Sequence, residues 1–377
     1  MLRYTITRNG RALRCGYTTG ACAAAATAAA TELLLGGEAP KSVALDTPKG
    51  VRLELDILEP SAGENRAACA VRKDSGDDPD ITNGVLVFAS VRRIESGVAI
   101  DGGDGVGRVT REGLDQPVGA AAINSVPRRM IREQAEAAMA RHGYAGGLSV
   151  TISIPGGEAL AQKTFNPRLG IEGGLSVIGT TGIVEPMSAA ALVDTIRLEL
   201  NVRRAEGAEA ALLCPGNYGE TFARNAMHLG ARPVSVANFI GDGVDAAVAA
   251  GFREILLVGH VGKLVKLGIG ARNTHSAQGD GRMEALVACA LEAGAEAPLL
   301  RELLACATTD AALDALRGAG LLQPAMAALG ERIRATLERW TPESVEIGFV
   351  CFTNRPPHAG ILCRSDNADA LAERLRG

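Results

Sequence analysis

Residues 254–284 read EILLVGHVGKLVKLGIGARNTHSAQGDGRME, an apolar run that turns abruptly into a glycine-rich polar stretch. The run ILLV at 255–258 is typical of a strand that is buried on both faces. Polar groups follow within a few turns of chain, where an open α/β sheet places its ligand crevice. They are His260, Lys263, Lys266, Arg272, Asn273, His275, Ser276, Asp280 and Arg282. This stretch is the leading candidate site.

Short apolar strands alternate with helical patterns from residue 175 onward, at 175–178, 210–213, 234–236 and 255–258. The alternation predicts a doubly wound, mostly parallel α/β (Rossmann-like) domain. A mainly helical stretch to about residue 340, strands at 345–352 and 361–363, and a helix at 368–375 complete it. The first four strands each lead into a glycine-containing loop: GTTG (179–182), CPGNYG (214–219), NFIGD (238–242) and GHVGK (259–263). We expect all four loops to line one carboxyl edge, where backbone amides and close approach hold a nucleotide-like ligand.

The N-terminal half has a different rhythm. An alanine-rich helix is predicted at 21–35, with Thr18 or Thr19 as its N-cap and a stop at Gly36 and Gly37. Strands are predicted at 42–46, 51–57, 67–72, 85–94 and 148–154, and a second helix at 124–142. These elements indicate an α+β domain with a mixed or antiparallel sheet. The stretch after residue 155 is dense in glycine and proline, so we place the domains at 1–174 and 175–377.

Composition narrows the function classes. A chain of 377 residues with 47% hydrophobic and 22% charged residues is typical of a folded protein with two cores. The net charge of -4 and the aromatic content of 3% argue against a nucleic-acid partner. No apolar run approaches the roughly 20 residues of a membrane helix. The eight cysteines are scattered without CxxC spacing, and a core helix is favoured over a signal peptide at 21–30, so we expect a cytoplasmic protein.

The candidate side chains each have a plainer alternative. His260 and His275 suit acid–base chemistry or substrate contact, but structural hydrogen bonding is equally open, and no third ligand suggests a metal site. Asp78 lies in an acidic turn that is either solvated or the source of a base. The cations of the leading stretch suit an acidic substrate, although a solvated helix face explains the two lysines. Asp242 suits ribose hydroxyls or a helix N-cap.

No GxxxxGK[ST] loop occurs and no GxGxxG follows a first strand, so neither ATP nor NAD is indicated. From the residues alone, the chain is a two-domain enzyme that binds a nucleotide-like ligand and an anionic partner.

Longer motifs add a resemblance. They are GYTTGACAAAA (16–26), KDSGDDPDITNG (73–84), GRVTREGL (107–114), NSVPRRMI (124–131), TFNPRLGIEGGLSVIGTTGIVEPMS (164–188), PGNYG (215–219), NFIGD (238–242), GHVGKLVKL (259–267), NTHS (273–276) and DGRME (280–284). With these motifs the sequence resembles the CbiD family, the cobalt-precorrin-5B C1-methyltransferases of cobalamin biosynthesis. Residues 298–340 carry no motif of this kind.

The resemblance implies S-adenosylmethionine as methyl donor and a many-carboxylate corrinoid as acceptor, methylated at C-1 to give cobalt-precorrin-6A. Cobalt, if present, is carried by the substrate. On this hypothesis, the residues for proton transfer are His260, His275 or Asp78. The donor is held by Gly179, Thr180, Thr181, Gly182, Gly216, Asn217, Gly219 and Asp242. The acceptor is held by Arg168, Lys263, Lys266, Arg272, Asn273 and Ser276.

Two other functions stay open, a nucleotide-dependent oxidoreductase and a corrinoid-binding protein without turnover. No membrane partner is expected, and a homo-oligomer through an exposed sheet edge is left open.

Overall fold

The computed structural model describes residues 4–8 and 10–376, which form a mixed α/β fold divided into two compact units between Ala189 and Ala190. The helices of the N-terminal unit are α1 (Thr19–Gly36), α2 (Ser125–Arg141), α3 (Gly157–Ala161) and α4 (Asn166–Leu169). Its strands are β1 (Thr5–Arg8), β2 (Arg11–Arg14), β3 (Gly16–Tyr17), β4 (Ser42–Asp46), β5 (Arg52–Asp56), β6 (Leu58–Gly63), β7 (Arg66–Arg72), β8 (Leu86–Ile94), β9 (Val98–Gly102), β10 (Arg108–Val109), β11 (Gly147–Ser153), β12 (Ile171–Glu172) and β13 (Ile183–Val184).

The second unit begins with α5 (Ala189–Ala205), which starts at the division, and its strands and helices alternate as far as β16. Its strands are β14 (Ala210–Cys214), β15 (Val234–Ser235), β16 (Glu254–His260), β17 (Glu346–Thr353) and β18 (Gly360–Arg364). Its helices are α6 (Asn217–Asn225), α7 (Ile240–Ala249), α8 (Val261–Leu264), α9 (Arg282–Glu292), α10 (Ala297–Ala305), α11 (Thr309–Gly318), α12 (Leu322–Trp340) and α13 (Ala368–Arg374). Two 3-10 turns, Val265–Ile269 and Ser276–Gln278, lie between α8 and α9.

Helix α1 is the centre of the N-terminal core. Its run of alanines is buried, and the hydroxyls of Thr27 and Thr31 are satisfied by carbonyls one turn earlier, both at 2.8 Å. Thr18 caps its start by accepting from the amide of Ala21, and Gly37 ends it in the left-handed conformation. By length and composition α1 is apolar enough to span a membrane, but 83% of it is buried inside the fold. The prediction of a core helix is therefore confirmed.

The main sheet of the N-terminal unit has the order β6-β7-β8-β11-β9. Its neighbours are antiparallel except for β11 and β9, so the sheet is mixed, one of the two arrangements predicted. Alternate residues of β8, namely Val87, Ala89 and Val91, are fully buried in the cluster that contains α1. The period-2 pattern thus places one face of the sheet against the helix.

The sheet of the second unit has the order β15-β14-β16-β17-β18, and only β18 runs antiparallel to its neighbour. Leu213 and Leu257 pack with α7 and α9 on one face, while Leu212 packs with α6 and α13 on the other. Both faces are covered because the strands are apolar at consecutive positions. The observed sheet is mostly parallel with helices on both faces, as the sequence predicts.

Residues 175–178 correct the expected topology. The sequence assigns them to the parallel sheet and places the domain boundary at 174/175. In the structure Leu175 and Val177 form isolated bridges with Val106 and Ile123, and both are buried in the core around α1. A short apolar run fits either core equally well, and here backbone pairing to residues 106–123 fixes it in the N-terminal unit. The division consequently comes after Ala189.

Candidate functional site

The parallel sheet has a topological switch point at the carboxyl end of β14, which lies between β15 and β16. Helix α6, after β14, packs on one face through Ala223. Helices α7 and α8, after β15 and β16, pack on the other face through Val244 and Val261. Helices that leave adjacent strands on opposite faces open a crevice at the strand ends, where open α/β sheets bind ligands. We name this the switch crevice and define it by Gly216, Ala237, His260 and Lys263.

Lys263 crosses the switch crevice from its place on α8. Its ammonium donates to the carbonyl of Ala237 at 3.0 Å, just beyond β15, and a Cβ at Gly216, just beyond β14, would lie 3.4 Å from it. Partial burial lowers the pKa of Lys263. The ammonium thus meets the carboxyl ends of three neighbouring strands.

His260 is the last residue of β16 and the N-cap of α8. Its Nδ1 accepts from the amide of Gly262 at 3.1 Å, so the neutral ring carries its proton on Nε2. Nε2 lies 3.4 Å from the hydroxyl of Thr353. Burial lowers the pKa of His260, and the carboxylate of Asp310 and the side chain of Asn354 act in the opposite direction. The ring is therefore neutral at neutral pH.

Sequence reasoning missed the neighbours of this imidazole. Tyr218 and Phe352 flank the ring, with centroids at 5.9 and 5.7 Å. One carboxylate oxygen of Asp310 lies 3.4 Å from Arg355, and the other is buried without a hydrogen-bond partner. Thr353 directly follows the predicted strand 345–352 and ends β17 beside β16, so the rule that picked out residues after the other strands would have found it. Asp310 lies on α11, within the stretch without motifs, and no sequence signal marks it.

The remaining donor candidates of the second unit lie at the starts of two helices. Gly216 has a φ of +93° and begins α6 without a side-chain cap, and a Cβ on Gly219 would lie 2.5 Å from the carbonyl of Val258. Asn217 is exposed in the first turn. Asp242 is half-buried in the first turn of α7. It is not the N-cap, which is Phe239, so the capping alternative is wrong.

Lys266 lies only three residues beyond Lys263, but its environment is different. The side chain is buried, and its ammonium donates to the carbonyls of Thr274 at 3.1 Å and Gly279 at 3.2 Å. Asp280 lies at 3.5 Å, and its pKa is lowered to about 2 by hydrogen bonding to Arg282. All three ammonium hydrogens thus have partners within the chain, so Lys266 holds the loop 273–281 in place.

Replacing Lys266 with methionine is expected to lower the free energy of unfolding by about 2 kcal/mol, because the carbonyls of Thr274 and Gly279 lose their charged donor. The ion pair with Asp280 adds little, since that carboxylate is half exposed. Thermal unfolding monitored by circular dichroism measures the loss. Lys163→Met is the matched control, since Lys163 is exposed, and it should melt like the parent. Equal melting temperatures for the two variants would contradict a structural role of Lys266 in holding the loop 273–281.

Arg272, Asn273 and His275 each have partners within the second unit. The guanidinium of Arg272 pairs with Asp245 and lies 4.9 Å from the ring centre of Trp340. Asn273 accepts from the amide of His275 at 2.9 Å. His275 is exposed and accepts from the amide of Ala277 at 3.1 Å through Nδ1, and Ser276 is also exposed. Ligand contacts by these four residues stay predictions.

The other predicted residues belong to the N-terminal unit. The loop Gly179, Thr180, Thr181 and Gly182 does not follow a strand of the parallel sheet, so the prediction of four loops on one edge is wrong. It packs on the start of α1 instead: a Cβ at Gly179 would lie 2.2 Å from the hydroxyl of Thr18, and the carbonyl of Gly182 accepts from the amide of Thr18 at 3.1 Å. These contacts fix the loop in the N-terminal core.

The last two candidates of this unit are Asp78, on a turn, and Arg168, in α4. Asp78 accepts from the amide of Met187 at 3.0 Å, and Arg168 is exposed near the ring of Phe165. Their roles toward a ligand stay predictions.

Comparison with known proteins identifies the family. The family model described as CbiD matches residues 6–186, and the model described as CbiD, C-terminal domain, matches residues 273–358. A Ruminiclostridium cellulolyticum protein named cobalt-precorrin-5B C(1)-methyltransferase is 45% identical, over 93% of this chain and 91% of its own. A protein of the same name from Alkaliphilus metalliredigens is 39% identical, over 100% and 98%.

A solved structure is also similar, the cobalamin biosynthesis protein (cbiD) from Archaeoglobus fulgidus. It is 30% identical with a TM-score of 0.39, over 71% of this chain and 84% of that one. The family matches and the identities over nearly the whole length agree with one another. The chain belongs to the CbiD family.

Proposed function

We propose that this chain is a cytoplasmic S-adenosylmethionine-dependent methyltransferase that methylates C-1 of cobalt-precorrin-5B in cobalamin biosynthesis, giving cobalt-precorrin-6A. The observation that carries the activity is the name shared by relatives that align with it over almost their whole length. The switch crevice is consistent with an enzyme that acts on a small molecule. At the ends of adjacent strands it brings together the neutral imidazole of His260, the partly buried ammonium of Lys263, and Gly216, which has no side chain to fill the space.

The donor supplies a sulfonium-bound methyl group, which an electron-rich ring carbon accepts without a protein nucleophile. In-line placement of the two reactants can then provide most of the acceleration. The residues around the crevice fit such a donor. Gly216 keeps space open beside Lys263, and Asp242 offers a carboxylate to ribose hydroxyls.

Of the three candidates for proton transfer, His260 is favoured. It lies in the switch crevice and is half-buried, whereas His275 is exposed on a loop and Asp78 accepts from a backbone amide in the N-terminal unit. Arg168, Arg272, Asn273 and Ser276 remain proposed contacts for the acidic macrocycle.

The direct test is anaerobic incubation of the purified chain with cobalt-precorrin-5B and donor carrying a labelled methyl group. We expect the label on the macrocycle and one equivalent of S-adenosylhomocysteine, both detected by mass spectrometry. Folded protein that leaves the precursor unlabelled would overturn the proposal. Precursor binding without S-adenosylhomocysteine would indicate a corrinoid-binding protein, and preference for NAD would indicate an oxidoreductase.

A further inference from the structure

Lys263 differs from the other buried or partly buried lysines of the described chain in how its charge is balanced. Lys73 pairs with Asp80 at 2.5 Å, and Lys266 lies 3.5 Å from Asp280. Within residues 4–8 and 10–376, no carboxylate lies within 4 Å of the ammonium of Lys263, and burial alone lowers its pKa. A partly desolvated cation without a counter-charge is costly, and a bound anion removes that cost.

The surroundings of this ammonium leave room for a small anionic group. The carbonyl of Ala237 takes one of its three hydrogens, so two remain for a carboxylate. Gly216 has no side chain to fill the adjacent space, where a Cβ would lie 3.4 Å from the ammonium. The same glycine begins α6 without a side-chain cap, so the positive end of that helix lies beside the space.

We propose that Lys263 binds the α-carboxylate of the donor's amino-acid part, instead of an acid side chain of the macrocycle. This rests on the proposed function. A carboxylate at the end of a slender chain can enter between the strand ends, whereas the acid groups of a macrocycle are spread around the rim of a wide ring. Lys263 then fixes one end of the donor, while Asp242, in the first turn of α7 beyond the neighbouring strand β15, is available to its ribose.

The test compares two ligands that differ in this carboxylate. S-adenosylhomocysteine carries the whole amino-acid part, and 5′-methylthioadenosine keeps the nucleoside and sulfur but lacks it. Isothermal titration of the full chain should give Lys263→Gln a Kd for S-adenosylhomocysteine at least about ten-fold weaker than the parent, the size expected for a charged hydrogen bond. Its Kd for 5′-methylthioadenosine should stay within about two-fold. Lys163→Gln, at an exposed position, should match the parent with both ligands.

Each other outcome is decisive. Unchanged S-adenosylhomocysteine binding by Lys263→Gln would overturn the inference and leave the proposed function intact, and weaker precursor binding by the same variant would assign the lysine to the macrocycle. Equal losses for both ligands would also overturn it, because the lysine would then act on the nucleoside end or on the fold. If the parent chain binds no S-adenosylhomocysteine, the proposed function fails together with the inference.

Discussion

Gly16→Ala is expected to lower the free energy of unfolding of the N-terminal unit by about 3 kcal/mol, which is the upper range for overpacking a filled core. A Cβ at Gly16 would lie 2.2 Å from the carbonyl oxygen of Asp74 and 2.3 Å from the carbonyl carbon of Ser75. These are backbone atoms and cannot rotate away. The melting temperature of the unit should fall by roughly 10 °C.

Gly63→Ala is the matched control. Gly63 is also a strand glycine without a positive φ, but the nearest atom to its added Cβ is 3.7 Å away, an ordinary contact. Hydrogen exchange measured by mass spectrometry should be faster around α1 in Gly16→Ala than in the parent. In Gly63→Ala it should match the parent. Parent-like exchange in both variants would mean that the two backbone segments are not in contact.

The contact at Gly16 is one of several that bring together three motifs that lie far apart in the sequence. The amide of Tyr17 donates to the carbonyl of Asp74 at 2.8 Å, and the guanidinium of Arg14 pairs with the Asp74 carboxylate. The amide of Thr18 donates to Gly182. The motifs GYTTGACAAAA, KDSGDDPDITNG and GTTGIVEPMS therefore meet at the start of α1. Part of the family signature is structural, and a motif alone does not mark a ligand contact.

Many helices and strands of the two units were predictable because their patterns are local. The strand at 51–57, observed as β5, follows from alternation, and the cap of α1 follows from a threonine before alanines. The assignment of 175–178 to the parallel sheet failed because a short, mostly apolar run does not reveal its partner. That partner is far away in sequence, at 106 and 123.

The site was less predictable, since burial separates residues that look equivalent in sequence. Lys263 and Lys266 both follow the same strand, but one faces the switch crevice and the other is enclosed by residues 274–280. Arg272 was predicted to bind an anion, and the structure gives it Asp245 and Trp340. Such partners come from distant helices and leave no trace near the candidate.

Replacing His260 with asparagine is expected to lower methyl transfer by about 100-fold or more, the range for loss of a positioned acid–base group, with little loss of stability. The asparagine oxygen can still accept from the amide of Gly262 and cap α8, whereas alanine cannot. His260→Ala should therefore lose the same activity and, in addition, about 1 kcal/mol of stability. Parent-like turnover by His260→Asn would mean that His260 serves only as the N-cap of α8.

The dependence of stability on pH distinguishes the acid–base role of His260 from its role as the N-cap of α8. Burial lowers the pKa of His260 in the folded chain, so as pH falls below about 6.5 the unfolded chain takes up a proton first. The stability linked to this group is therefore complete above that pH and is lost as pH falls toward the folded pKa. Once Nδ1 is protonated it can no longer accept from the amide of Gly262, so α8, which carries Lys263, loses its N-cap as the folded His260 titrates. Thermal melts from pH 5 to 7.5 should show a smaller decrease for His260→Asn than for the parent, and identical profiles would mean that the imidazole titrates as it does in water.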